Sequence, residues 1–266
     1  MDSCSLCKLH SACGSSVSPE FDPWLDDALS ADTFDFHFQP IVDVSSETIF
    51  AHEALVRLPG RNGGEIVAEA VHRKRIHAFD SYCRQKAIRT AATRRTIPDQ
   101  RVFINFMPSS IYDPNHCLKT TMAAMELAGM HPEQVTFEVV ESEEVASIPQ
   151  LLRIRDFYRR RGFGFALDDC GTGSNTSEMV HAFRPDFIKL DKSLTSAATV
   201  ESSRRELEAM LALGERLHCR VIAEGIETVE QMERLQSCGV TLMQGWLFGR
   251  PQPAFRKEYL GALVAV

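Results

Sequence analysis

"FHFQPIVDVSSETIFAHEALVRL", residues 36–58, holds two apolar runs separated by a very short polar turn. FHFQPIVDV (36–44) and IFAHEALVRL (49–58) are rich in β-branched and aromatic side chains, so each reads as a strand. Only a few residues, around Ser45, Ser46 and Glu47, lie between them. That leaves no room for a helix, so the two strands must form a hairpin and run antiparallel.

Every later connection is longer. The next strand candidates are RVFINFM (101–107), VTFEVVE (135–141), FGFALDD (163–169), DFIKLD (186–191), RVIAEGIE (220–227) and TLMQGWLF (241–248). The gaps between them can hold crossover helices, and residues 117–129, 150–161, 201–217 and 228–237 carry helical apolar spacing. Eight strands alternating with helices predict an α/β chain folded as a TIM-like (β/α)8 barrel whose first strand is antiparallel. A polar, Cys-containing N-terminal tail is expected over residues 1–33 and the barrel over 34–266.

Bulk composition agrees with one large domain. The chain has 266 residues and 44% hydrophobic content, and a barrel of about 250 residues would use it as a single core. A net charge of −7 argues against a general polymeric nucleic-acid surface, which needs a basic field. The basic runs 72–75 and 159–161 are expected as solvated helix faces. No apolar run approaches a membrane span, and the start MDSCSLCKLH has no apolar signal region, so a cytoplasmic protein with no membrane partner is expected. The eight cysteines are then expected reduced. Cys4, Cys7, His10 and Cys13 recur every three residues, a spacing open to zinc, an iron–sulfur cluster or redox sensing. No downstream half-site completes such a set, so a mobile tail with scattered thiols is the preferred reading.

Polar residues fall on the scaffold in a pattern. Glu53, Asn105, Glu138, Asp168, Lys189, Glu224 and Gln244 each lie in or at the end of a different strand, from the second to the eighth. Alone, any of them would read as a solvated strand end. Together they converge on the one barrel mouth where this architecture builds its sites. In "FGFALDDCGTGSN" (163–175), Asp168 and Asp169 are neighbours, and a regular strand would point them to opposite faces, so the strand must break there. Carboxylates crowded in this way repel by about 4 kcal/mol per pair at 4 Å and an effective dielectric near 20. Hard oxygen donors without clustered His or Cys suit Mg²⁺ or Mn²⁺ rather than zinc, and two metals sharing the aspartates could hold an attacking water between them.

The stretches HEALVRLPG (52–60), VFINFMPSS (102–110), TFEVVES (136–142), ALDDCGTG (166–173), FIKLDKS (187–193), AEGIET (223–228) and MQGWLFGRP (243–251) resemble the EAL-domain cyclic di-GMP phosphodiesterases, in family order, over about residues 34 to 255. The resemblance implies hydrolysis of cyclic di-GMP to linear 5′-pGpG, a homodimer, and a two-metal site of Mg²⁺ or Mn²⁺ that Ca²⁺ inhibits. It places the metal ligands at Glu53, Asn105, Glu138, Asp168, Asp169 and Glu224, and Lys189 beside the attacking water. Gln244 would complete the second metal's shell or touch substrate, Arg57 would grip a phosphate, and Gln39 would reach a guanine. Glu141, Glu227 and Asp191 correspond to supporting acids. The loop after the aspartates begins with Cys170 where the family commonly has Phe, and Leu58-Pro59-Gly60-Arg61 stands where it has Trp-x-His-Pro. The alternative is a catalytically silent cyclic di-GMP receptor or protein-interaction module on the same barrel. Silent relatives usually lose a ligand or the lysine, and here each is present, which favours the enzyme.

Overall fold

The strand ladder closes in sequence order, β1-β2-β3-β4-β5-β6-β7-β8, so the sheet has no free edge. A computed structural model describes residues 23–111, 113–139, 148–171, 177–196 and 201–259 of this chain. The strands are β1 (Asp35–Asp43), β2 (Thr48–Arg57), β3 (Arg101–Phe106), β4 (Val135–Val139), β5 (Gly164–Cys170), β6 (Phe187–Leu190), β7 (Arg220–Ala223) and β8 (Leu242–Gln244). The helices are α1 (Trp24–Ser30), α2 (Gly63–His72), α3 (Ile76–Arg94), α4 (Pro114–Ala128), α5 (Ile148–Arg159), α6 (Ser177–Phe183), α7 (Lys192–Ser196), α8 (Glu201–Leu217) and α9 (Val229–Ser237). β1 runs antiparallel to both β2 and β8, and all other neighbours are parallel, as the hairpin predicts.

Local chemistry explains the punctuation. In the hairpin turn Asp43 Oδ1 accepts from Ser45 N at 3.1 Å and from Ser45 Oγ at 2.6 Å, and Glu47 takes a left-handed φ of 54°. Pro40, which has no amide to give the ladder, sits beside the register shift at Ile41/Val42. Asn62 and Glu65 close a capping box on α2, and Thr228 and Gln231 do the same for α9. α4 starts on the cap Asp113 with Pro114 and stops at Gly129, whose φ is 59°.

Three expectations change. The stretch expected as a polar tail, residues 1–33, contains α1, which buries Leu25 and Ala28 in a cluster with Phe34, Ile66, Ala70 and Phe79. Seven residues are too few to show a 3.6-residue period. The last strands are shorter than their apolar runs, because after Ala223 and Gln244 the chain leaves the ladder for turns. The basic runs mark helix ends rather than faces: His72 closes α2, Arg73–Arg75 lead into α3 with Lys74 at φ 57°, and Arg159 closes α5. Cys4, Cys7, His10 and Cys13 lie outside the described residues. Among the described residues Cys83, Cys117, Cys170, Cys219 and Cys238 form no disulfide. Among the described residues no helix is long and apolar enough to cross a membrane.

Candidate active site

Seven strands each deliver one polar side chain by the same step. Ala51, Phe103, Thr136, Ala166, Phe187, Ile222 and Leu242 are buried on the inner side of the wall, with Thr136 level with Phe103 in the β3–β4 register. Two residues further on, where a strand returns its side chain to the same face, stand Glu53, Asn105, Glu138, Asp168, Lys189, Glu224 and Gln244. An apolar floor and a polar mouth thus arise from one period-two pattern. Glu224 lies one residue past β7, but its amide still bonds Leu190 O at 3.2 Å and keeps the line.

At the centre is Lys189, 1% exposed. Its Nζ lies 2.7 Å from Glu224 Oε1, 2.9 Å from Asp168 Oδ1, 3.0 Å from Glu138 Oε1 and 3.8 Å from Glu53 Oε2. Four carboxylates therefore surround one ammonium. Burial works to lower the lysine's pKa, but Asp168, Glu138, Glu224 and Glu53 outweigh it and hold Lys189 charged well above its ordinary range. Burial, aided by Glu53, Asp168 and Glu224, drives Glu138 well up against the pull of Lys189. Glu224 is pushed up to about 8, first by burial and then by Asp168 and Glu53.

The aspartate pair breaks its strand as the sequence demanded. Leu167 pairs with Ile188 and Cys170 with Leu190, so two residues, Asp168 and Asp169, face the single Lys189 across the ladder. Asp169 takes a left-handed φ of 50°, and Gly171 follows at φ 98° where an added Cβ would strike Leu194. This bulge turns Asp169 back toward the mouth: oxygen atoms of Asp168, Asp169 and Glu224 lie within 4.8 Å of one another.

Gln244 closes the far side. Its Nε2 donates to Glu53 Oε2 at 2.6 Å and to Gln39 Oε1 at 3.3 Å, and Gln39 Nε2 donates to Gly249 O at 3.3 Å. Gly245 permits this placement, because a Cβ there would lie 2.0 Å from Ile226 O. Among the described residues Glu138 Oε2 and Gln244 Oε1 are buried without a hydrogen bond, and Glu138 Oε1 meets the ammonium of Lys189 as an ion pair. Buried hard-oxygen acceptors crowded around a single ammonium fit a divalent cation.

The remaining expected residues divide. Asn105 sits beside Glu138 in the β3–β4 register and lines, with Arg57 and Asp169, a cleft of about 820 Å³ that runs outward beneath α2. Arg57 donates to Val56 O at 2.8 Å, and burial lowers its pKa against the charge of Glu53. Asp191 is occupied locally, its Oδ1 accepting from Ser193 N at 2.8 Å at the start of α7. Glu227 is exposed in the capped turn before α9 and is not gathered around Lys189. Glu141 lies outside the described residues. Sequence reading missed Asp80 and Arg84, whose buried ion pair underlies the exit of β3; charged residues one helical turn apart in a chain this polar carry no signal of burial.

A family model described as the EAL domain matches residues 23–251. The cyclic di-GMP phosphodiesterase NbdA of Pseudomonas aeruginosa is 28% identical over 249 residues, covering 90% of this chain and 31% of its own length. This chain thus spans about a third of that relative. Among solved structures, a standalone EAL protein from Vibrio cholerae O395 in its c-di-GMP bound form superposes with a TM-score of 0.78 at 31% identity, over 85% of this chain and 95% of that one. Klebsiella pneumoniae BlrP1, in a manganese and cyclic di-GMP complex, gives a TM-score of 0.77 at 29% identity, over 85% of this chain and 58% of that one.

Proposed function

Because the chain belongs to the EAL domain family, we propose that its barrel mouth hydrolyses one phosphodiester of cyclic di-GMP to give linear 5′-pGpG, with two divalent cations, Mg²⁺ or Mn²⁺, at the acidic cluster. The observation that carries this reading is the charge imbalance around Lys189, four carboxylates within 3.8 Å of one ammonium with Asp169 turned in beside them. Relatives support the substrate: the NbdA name states the activity, and the neighbouring structures hold cyclic di-GMP, one of them with manganese.

Glu53, Asn105, Glu138, Asp168, Asp169 and Glu224 would hold the cations. Cations held by these residues would supply an activated water and offset charge on the phosphoryl oxygens. Lys189 keeps its proton at Nζ, orients the attacking water and faces the charge that builds on phosphorus. Gln244 fixes Glu53 through its amide and offers its free oxygen to the second cation or the substrate. Arg57, at the rim of the cleft, meets a phosphate oxygen, and Gln39 presents its amide to a guanine from the antiparallel first strand.

The test is chromatographic detection of 5′-pGpG from cyclic di-GMP with Mg²⁺, Mn²⁺, Ca²⁺ or chelator. Product is expected with the first two and none with chelator. Ca²⁺ is expected to inhibit, since its larger, looser coordination misplaces the water. Tight nucleotide binding with no product under either active metal would move the chain to the silent receptor class.

A further inference from the structure

Asn105 differs from the other expected ligands in being neutral, so a cation gains little long-range attraction from it and its worth depends on placement. β3 ends at Phe106, immediately after it, and the chain then bends through Pro108–Ser110. The ladder to β4 holds β3 as far as the Phe106–Val139 pair. Past that pair, side-chain bonds to the exit come from one face of α3. Asp80, 4% exposed, accepts Met107 N at Oδ1 (3.1 Å) and Ser110 Oγ at Oδ2 (2.7 Å). His77, one turn earlier, bonds Ser110 O through Nδ1 at 2.5 Å. Arg84, one turn later and 1% exposed, reaches Asp80 Oδ2 at 3.1 Å and donates to Tyr158 OH of α5 at 3.4 Å.

We propose that Asp80 is a positioning residue for the metal site, acting through Asn105: its two oxygens fix the backbone just past β3 and thereby the aim of the Asn105 amide. This rests on the two-metal reading above. Chemistry separates the two tasks of Asp80. Binding the loop needs only acceptors and a donor of the right shape, which an amide can supply; neutralising Arg84 needs the negative charge.

Asp80→Asn should therefore keep the loop bonds and lose the counter-charge, whereas Asp80→Ala loses both. We would titrate the full-length protein with Mn²⁺, follow free ion by electron paramagnetic resonance, and record thermal unfolding of the same samples. Both variants should melt lower than wild type. Mn²⁺ affinity should fall by about tenfold or more in Asp80→Ala, as for other groups that orient metal ligands, and stay near wild type in Asp80→Asn. In an Asn105→Ala background, Asp80→Ala should weaken Mn²⁺ little further, because the group it aims is gone. If Asp80→Ala does not fold, Ser110→Ala, which removes one of the loop bonds, should weaken Mn²⁺ by about fivefold, the equivalent of one hydrogen bond. Unchanged Mn²⁺ affinity in whichever of Asp80→Ala or Ser110→Ala folds, or additive losses with Asn105→Ala, would overturn the proposal and leave the metal site standing. Wild type that binds no Mn²⁺ would overturn both.

Discussion

Among the described residues two cations are almost fully buried beside carboxylates, Lys189 in the barrel mouth and Arg84 between α3 and the wall, and their surroundings are opposite in kind. Arg84 has one carboxylate, Asp80, whose oxygens are also taken up by Met107 N and Ser110 Oγ, and its guanidinium stacks 5.5 Å from Phe106. Charge there balances, and among the described residues only Arg84 Nε lacks a partner on the pair. Lys189 is shared among four carboxylates, and Glu138 Oε2 beside it is buried without a hydrogen bond among the described residues. A balanced buried pair is what a fold needs to hold a loop. A surplus of buried negative charge destabilises the fold and is retained where a cation is to be held.

The sharpest way to break this comparison is to remove charge from each side. At the mouth, Asp168→Asn, which removes a proposed cation ligand, and Lys189→Ala, which removes a group facing transition-state charge, should each lower turnover by about two to three orders of magnitude or more. Asp168→Asn should leave the metal-free protein as stable as wild type or more so, because repulsion is relieved. Lys189→Ala should still bind cyclic di-GMP in the presence of metal. An active Asp168→Asn protein with a lowered melting temperature would reverse the roles assigned to the two regions.

The second expectation is the mirror image. Arg84→Met leaves Asp80 buried without its counter-ion and should cost about 3 to 5 kcal/mol in denaturant unfolding. Turnover per folded molecule should change by less than at the mouth. A stable Arg84→Met protein would mean that the α3 pair contributes little to holding the fold.

Cation binding gives a smaller effect that should appear at one region alone. Mn²⁺ at a hundredfold excess over its dissociation constant should stabilise wild type by about 2.7 kcal/mol. Asp168→Asn should lose most of that gain and Arg84→Met should keep it. Equal metal stabilisation in all three proteins would place the bound ion elsewhere.

The smallest effect belongs to a helix cap outside the contacts made by either cation. Thr228 caps α9 by accepting from Gln231 N at 3.2 Å, so Thr228→Ala should cost about 1 kcal/mol in chemical denaturation with unchanged metal affinity. A loss of Mn²⁺ binding in that variant would show that the mouth senses its surrounding helices more widely than the contacts around Lys189 indicate.

Much of this was legible in the chain because strand periodicity is local. The tight Ser45–Glu47 turn determined the antiparallel start, and long apolar-to-apolar gaps determined the parallel remainder. Seven polar residues at strand ends marked the mouth, and the adjacent aspartates required an irregular strand, found as the bulge opposite Lys189 with Asp169 at φ 50°. What the sequence could not decide depends on distances between residues far apart along it, which only barrel closure and register set. That Lys189 meets four carboxylates, that Gln244 reaches both Glu53 and Gln39, and that Asp80 reaches past β3 are facts of this kind. So are the local capping by Asp191, the exposure of Glu227 and the packing of α1 through Leu25. Local patterning tells which face a side chain takes; which charges share that face, and whether they balance, is decided by the closed barrel.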